Sequence, residues 1–182
     1  MLIARSPCSL ILSTFSLSPE SISLISSSSA SGIRAFASST LSANYKNFNI
    51  AIREDYAKDI PSIRLIPQDF SRAVLNVMNN AFYAVWKKWQ NAPEGYSPEI
   101  MVTLEKLDKR VVLSIRDNGE GMSPEVKRKL FDSFFTKKPV GQGTGIGMAI
   151  VRDIIENKHH GKVLFDSVLH EYTCFRFIIP IA

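Results

Sequence analysis

One stretch constrains this chain more than any other. It runs Asp117-Asn118-Gly119-Glu120-Gly121-Met122, then Phe131-Asp132-Ser133-Phe134-Phe135-Thr136-Lys137-Lys138, then Gly141-Gln142-Gly143-Thr144-Gly145-Ile146-Gly147-Met148. An acid precedes paired glycines, a short segment ends in a double Phe, and a second glycine ladder opens onto an apolar helical pattern. Asp117 continues the alternation of Val111, Leu113 and Ile115, so its carboxylate faces the core side of a strand end. A buried acid needs a partner. It is either the first residue of a turn or an acceptor for an exocyclic amine such as that of adenine. The ladder is either a flexible loop or a run of bare backbone that admits phosphate to a helix start.

The surrounding pattern describes one α/β domain from about residue 46. Phe48, Ile50 and Ile52 alternate as a strand, Glu54 to Asp59 make a polar connection, and Ile63 to Ile66 form a second short strand. Pro67 suits the first position of a helix. That helix carries Phe70, Val74, Val77, Met78, Ala81, Phe82 and Val85 at helical spacing, and runs to Trp86 or Trp89. Two strands follow, alternating at Ile100, Val102, Leu104 and at Val111, Leu113, Ile115, with a hairpin turn over 107–110. Ser123-Pro124-Glu125 opens a short helix. A last helix presents Met148, Val151, Ile154 and Ile155 on one face and ends at Lys158-His159-His160-Gly161. Strands over 163–167 and 173–179 close the chain.

Composition narrows the class. The 182 residues suffice for one well-buried domain, and 45% apolar with 21% charged content is that of a globular protein. The net charge of +5 is not gathered into any Lys or Arg block, so no nucleic-acid partner is expected. No apolar run is long enough to span a bilayer. Cys8 and Cys174 lie at opposite ends, and Cys174 reads as a small core residue. Residues 1–45 are Ser-rich and poor in acids. They read as an organelle presequence, as a low-complexity arm or irregular gene start, or, least well, as a secretory leader. A cytoplasmic location is expected, or organellar import if residues 1–40 act as a presequence.

On the long helix, Asn76 and Asn80 stand one turn apart between apolar neighbours, whereas Asn79 reads as exposed. Asn is poor in helix interiors. Two stacked amide carbonyls either sit on a solvated face or ligate a hard cation such as Mg²⁺. Thr173 shares its inward face with Phe175, Phe177 and Ile179. It is either a plain strand former or a polar group at the Asp117 end of the pocket. Rival motifs fail on spacing. Positions 146 and 148 break a dinucleotide-binding fingerprint, a P-loop Gly-Lys-Ser/Thr is absent, and no calcium loop follows Asp117.

Leu75-Asn76-x-x-x-Asn80-Ala81, Asp117-x-Gly119-x-Gly121, Phe131-x-x-Phe134-Phe135-Thr136-Lys137 and Gly143-Thr144-Gly145-Ile146-Gly147-Met148 resemble the N, G1, F and G2 boxes of sensor histidine kinases. Thr173-x-Phe175 through Ile179-Pro180 resembles the last strand of their catalytic domain. The resemblance covers about residues 46–182. It implies an α+β fold of the gyrase, Hsp90, histidine kinase and MutL superfamily: a two-layer Bergerat-type sandwich with helices on one face of a mixed, mostly antiparallel sheet. It further implies ATP and Mg²⁺ as ligands, with Asp117 on adenine, Asn76 and Asn80 on the metal, and the segment between the F and G2 boxes as an ATP lid. Nucleotide contacts would come from Asn80, Tyr83, Asp117, Gly119, Gly121, Met122 and Phe131. Lys138, Gly143, Thr144, Gly145, Gly147 and Thr173 would complete them, and Asn76 and Lys137 would be catalytic.

The hydrolase branches place Glu where Asn76 stands. An amide is no general base at neutral pH, so phosphoryl transfer is favoured over hydrolysis. Two departures are visible: Tyr83 replaces a frequent Lys or Arg, for which Lys137 or Lys138 could compensate, and Tyr172 replaces a frequent Gly. His159, His160 and His170 all follow the four boxes and read as no phosphoacceptor; His159 and His160 read as helix-end residues. The acceptor helical hairpin is not found in the sequence. The expected partners are therefore a separate acceptor-histidine domain or parent kinase and, through it, a response regulator. The alternatives are a nucleotide-binding or regulatory module without turnover, and a slow ATPase of the hydrolase branches.

Overall fold

The structure, a computed structural model, describes residues 48–61, 63–92, 94–139 and 143–181. The reading of residues 1–45 and that of Gly141 in the glycine ladder lie outside these residues. All that follows concerns the compact unit beginning at Asn49.

Five strands form one mixed sheet in the order β1-β2-β3-β5-β4. They are β1 (Ala51–Tyr56), β2 (Glu99–Leu107), β3 (Arg110–Asp117), β4 (Lys162–Val168) and β5 (Tyr172–Pro180). Only β1 and β2 are parallel, joined by the 24-residue helix α1 (Pro67–Gln90), as a parallel pair requires a crossover. The other neighbours are antiparallel. The turn between β2 and β3 is only Asp108-Lys109, with Asp108 at φ 53°, the left-handed conformation that tight hairpins use.

Strand register aligns the apolar face into rows. Leu104, Leu113, Phe177 and Val163 make one row, and Val102, Ile115, Phe175 and Phe165 the next. Against these rows lie Ala73, Val77, Met78, Ala81, Phe82 and Val85 of α1, all buried. The helical segment α3 (Gly147–Arg152) adds Met148 and Val151 and continues as a π-helical turn, Asp153–Lys158, that buries Ile154 and Ile155. The short α2 (Pro124–Lys129) is capped by the Ser123 hydroxyl, which accepts from the Val126 N–H at 3.5 Å.

Three expectations need correction. The first strand begins at Ala51 and continues through Glu54, Asp55 and Tyr56, which the sequence reading placed in a connection. Pairing with β2 overrides their polarity, because Asp55 lies beside Thr103 and Tyr56 beside Leu104. Residues 63–66 are not a strand. The Ile66 N–H instead donates to His159 Nε2 at 2.9 Å. Finally, His159 ends the last helical turn, as its place in the sequence suggested, but as a buried residue. It is 7% exposed, its Nδ1 meets the Ile154 carbonyl at 2.8 Å, and its ring stands edge-on to Phe70. With Nδ1–H donating and Nε2 accepting, the neutral ring ties the end of the last helix to the start of α1. The left-handed residue at this end is His160 (φ 51°) rather than Gly161.

Candidate functional site

One end of the inward face is polar. The row after Val102–Ile115–Phe175–Phe165 reads Ile100, Asp117, Thr173, Ser167. Asp117 and Thr173 are each 3% exposed and Ser167 1%. The Ser167 hydroxyl donates to the Tyr172 carbonyl at 2.8 Å and lies 3.0 Å from Thr173 Oγ1. Its proton being spent, the Thr173 hydroxyl is the donor of that second bond. Ser167 was not singled out from sequence. Its alternation with Val163 and Phe165 was the available signal, weak because serine in a strand is ordinarily surface.

Asp117 Oδ1 accepts the Gly119 N–H at 2.9 Å. Burial pushes its carboxyl up to about 7, and the Gly119 amide and the Lys88 ammonium only partly offset that. The loop after it is braced from three sides. Lys88 Nζ donates to the Asn118 carbonyl at 2.9 Å and the His170 carbonyl at 2.8 Å. Asn118 Oδ1 accepts from the Glu99 N–H at 2.9 Å and the Tyr96 hydroxyl at 3.0 Å. Burial, with the Asp117 charge, pushes the Tyr96 phenol up to about 12. Lys87 pairs with Glu120 at 2.9 Å, which raises the lysine. Gly121 has φ 64°, and a side chain there would collide with the Val168 carbonyl, so the G1 loop lies directly on the β4–β5 turn. Met122 follows it, half-buried.

Asn76 is brought to the second glycine segment and Asn80 to Lys138. Any side chain at Gly147 would lie 3.3 Å from Asn76 Oδ1, so the start of α3 rests against that amide. Asn79 is exposed, as expected. Asn80 Oδ1 accepts from Lys138 Nζ at 2.9 Å, and the same ammonium lies 4.8 Å from the Tyr83 ring centre. Burial pulls the Lys138 amine down. Gly145, at φ 68°, is pressed onto the backbone of Phe134, itself at φ 68° and 77% exposed. Gly143 approaches the Thr136 hydroxyl, and Thr144 is exposed, its hydroxyl accepting from the Ile146 N–H at 3.4 Å. Phe131 packs edge-on to Phe165, with the Arg152 guanidinium 5.2 Å from its ring centre. Lys137 is exposed and is brought to none of the other residues by a hydrogen bond or ion pair among the described residues.

Thus Asp117, Gly119 and Thr173 converge at the sheet end, while Asn76, Asn80, Tyr83, Lys138 and Gly147 converge along one face of α1. Missed from sequence were Lys88, Tyr96 and Asn118, which act through bonds to distant main-chain atoms, and Ser167, which bonds across its own hairpin. The arrangement offers a buried acceptor at one end and amide carbonyls with an ammonium at the other, a class of site suited to a nucleotide.

Residues 66–182 match the model of the histidine kinase-, DNA gyrase B- and HSP90-like ATPases. The sequence is 30% identical over 142 residues to sporulation kinase E of Bacillus subtilis, covering 78% of this chain and 18% of that protein. It is 33% identical over 129 residues to the methanogenesis regulatory histidine kinase FilI of Methanothrix harundinacea, covering 71% of this chain and 14% of that protein. The fold is similar to the catalytic domain of histidine kinase ThkA, with a TM-score of 0.63 and 26% identity over 82% of this chain and 88% of that one. The mycobacterial sensor histidine kinase MprB gives a TM-score of 0.60 at 26% identity, covering 82% and 91%. The chain belongs to the histidine kinase-, DNA gyrase B- and HSP90-like ATPase family, as a histidine-kinase ATP-binding catalytic domain of the two-component type. It spans less than a fifth of the two curated relatives named.

Among the described residues, no helix is long and apolar enough to cross a membrane, and no cluster of three His, Cys, Asp or Glu could hold a metal.

Proposed function

We propose that this domain binds Mg-ATP and transfers the γ-phosphoryl group to a histidine that lies outside residues 49–182. The observation that carries the reading is Asn76. An amide rather than a carboxylate faces the start of α3, so this position offers no base to activate water. Phosphoryl transfer asks the protein mainly to position groups and stabilise charge. Asp117 accepts from the adenine amine, with Thr173 and Ser167 fixing the polar floor around it. The G1 loop holds its shape through Lys88 and Asn118, while Gly143, Gly145 and Gly147 present backbone N–H groups to phosphate beside Lys138. Asn76 and Asn80 would hold Mg²⁺, which supplies neutralisation of phosphate charge. The fit is supported by Asn80 Oδ1, which already faces a cation at 2.9 Å. Lys137, exposed on the lid, remains available to the transferred group or the acceptor.

The three histidines of the chain do not suit the acceptor role. His159 is buried with both ring nitrogens bonded, while His160 and His170 sit in left-handed turn positions at opposite ends of β4. The acceptor is therefore expected on a segment or protein outside this domain, which in turn would serve a response regulator. Histidine kinase ThkA has been seen in complex with the response regulator TrrA, a likeness that at 22% identity speaks to fold alone.

Incubating the chain with a helical-hairpin acceptor from a related kinase and γ-labelled ATP should place acid-labile label on the hairpin. Steady phosphate release without transfer, surviving Asn76→Ala, would overturn the reading in favour of a hydrolase. ATP binding with no transfer to any acceptor would favour a regulatory binding module.

A further inference from the structure

Lys88 is half-buried, and none of the ion pairs among the described residues includes it. Its ammonium instead donates to two carbonyls, that of Asn118 at 2.9 Å and that of His170 at 2.8 Å, and lies 4.9 Å from the centre of the Tyr96 ring. The Tyr96 hydroxyl donates to the same Asn118 carbonyl at 3.1 Å, so both lone pairs of that oxygen are taken. No described peptide bond is cis, and in a trans peptide the C=O and the next N–H point in opposite directions. A carbonyl fixed on Lys88 and Tyr96 therefore sends the Gly119 N–H the other way. That N–H is the one that donates to Asp117 Oδ1 at 2.9 Å. The peptide is also pressed on α1, since a side chain at Gly119 would lie 2.6 Å from the main chain of Ala84, one turn before Lys88. Ammonium, peptide and carboxylate thus form one hydrogen-bonded chain in which each bond polarises the next.

The other groups around this carboxyl carry little charge. Burial, with the Asp117 charge, pushes the Tyr96 phenol up to about 12, and burial raises the Cys174 thiol, so both are neutral near pH 7. Thr173 and Ser167 are uncharged, and Glu120 is paired with Lys87 at 2.9 Å. Burial raises Asp117 itself, and the two foremost influences that oppose it are the Gly119 amide and the Lys88 charge, both members of the chain of bonds. We propose that Lys88 is a positioning residue for Asp117: through the Asn118–Gly119 peptide it holds the acid ionised with Oδ1 occupied, leaving the rest of the carboxylate to accept an exocyclic amine. This deepens the ATP-binding reading and rests on it for the amine.

The test has two arms, both on the full chain. In the first, the Asp117 carboxyl is titrated by NMR without nucleotide. Lys88→Met and Lys88→Gln should each move its midpoint up by about one pH unit, and Lys88→Arg should stay near wild type. An unmoved midpoint in both neutral variants would overturn the proposal. In the second arm, ATP affinity is measured by calorimetry from pH 6 to 9. Lys88→Met should bind about fivefold more weakly than wild type at pH 7, with the gap nearly closed at pH 9, where Asp117 is ionised in both. A loss of the same size at every pH would make Lys88 a plain brace of the loop and overturn the role of its charge. If ATP binds to neither protein while the midpoint still moves, the nucleotide reading fails and the hold of Lys88 on Asp117 stands.

Discussion

At the scale of single residues, Asp117 carries the sharpest consequence. Its folded carboxyl is raised to about 7 by burial, above an ordinary value of 3.8. The folded state thus holds its proton more tightly than the unfolded chain. The stability this contributes is complete below about pH 4 and is lost as pH rises through about 7, a change of roughly 4 kcal/mol at most. Asp117→Asn should therefore flatten the pH dependence of the nucleotide-free melting temperature between pH 4 and 8. It should match wild type at the acid end and exceed it above pH 7; parallel curves would show that burial is not what shifts this group. Adenine's amine favours the ionised form, so ATP binding at pH 6 should release a proton, seen by calorimetry in buffers of different ionisation enthalpy. His159 is the second residue of this kind. His159→Ala leaves the Ile66 N–H and Ile154 carbonyl without their partner and should cost about 1–3 kcal/mol in denaturant unfolding.

At the scale of elements, the stretch from α2 to α3 shows how far local pattern carries. Its start was legible, since Ser123-Pro124-Glu125 caps α2 as read. Its glycines were legible as bare backbone, but not what each one meets. Gly145 lies against Phe134 in a left-handed pair, a contact between residues eleven apart that no periodicity announces. Gly145→Ala should cost about 1–2 kcal/mol from the backbone angle alone. It should also weaken ATP binding by shifting the lid, while far-UV circular dichroism stays unchanged. Unaltered affinity would place the lid's hinge elsewhere. The helix–sheet alternation was equally readable over 99–117 and 147–155, where apolar residues sit in period with the element. It failed at Glu54–Tyr56 and at 63–66, where pairing with β2 and the bond to His159 decided the outcome.

At the scale of the molecule, α1 joins the two halves of the site. Its buried face anchors the sheet through Phe82 and Val85, and its next face presents Asn76, Asn80 and Tyr83. Its last turn sends Lys87 and Lys88 to the G1 loop and the β4–β5 turn. Core and site are therefore coupled. Phe82, 1% exposed, should cost about 3–5 kcal/mol on replacement by Ala. Because the same helix carries the asparagines, ATP affinity should fall along with the unfolding midpoint; a midpoint loss without an affinity loss would show that α1 holds its site face independently.

What the sequence alone determined was the inventory: an Asp at a strand end, two asparagines one helical turn apart, glycines around a double Phe, and the inward alternation that puts Thr173 on the core face. These follow from helical and strand periods, which act over a few residues and are written locally. What only the tertiary structure decided was which of these groups meet. Register across two antiparallel pairs set Asp117, Thr173 and Ser167 in one row. Packing of α1 brought Lys138 to Asn80, and closure of the last helix on α1 gave His159 its bond to Ile66. Apart from the Ser167–Thr173 hairpin pair, each is a contact between residues far apart in the chain, set by geometry that no local pattern encodes.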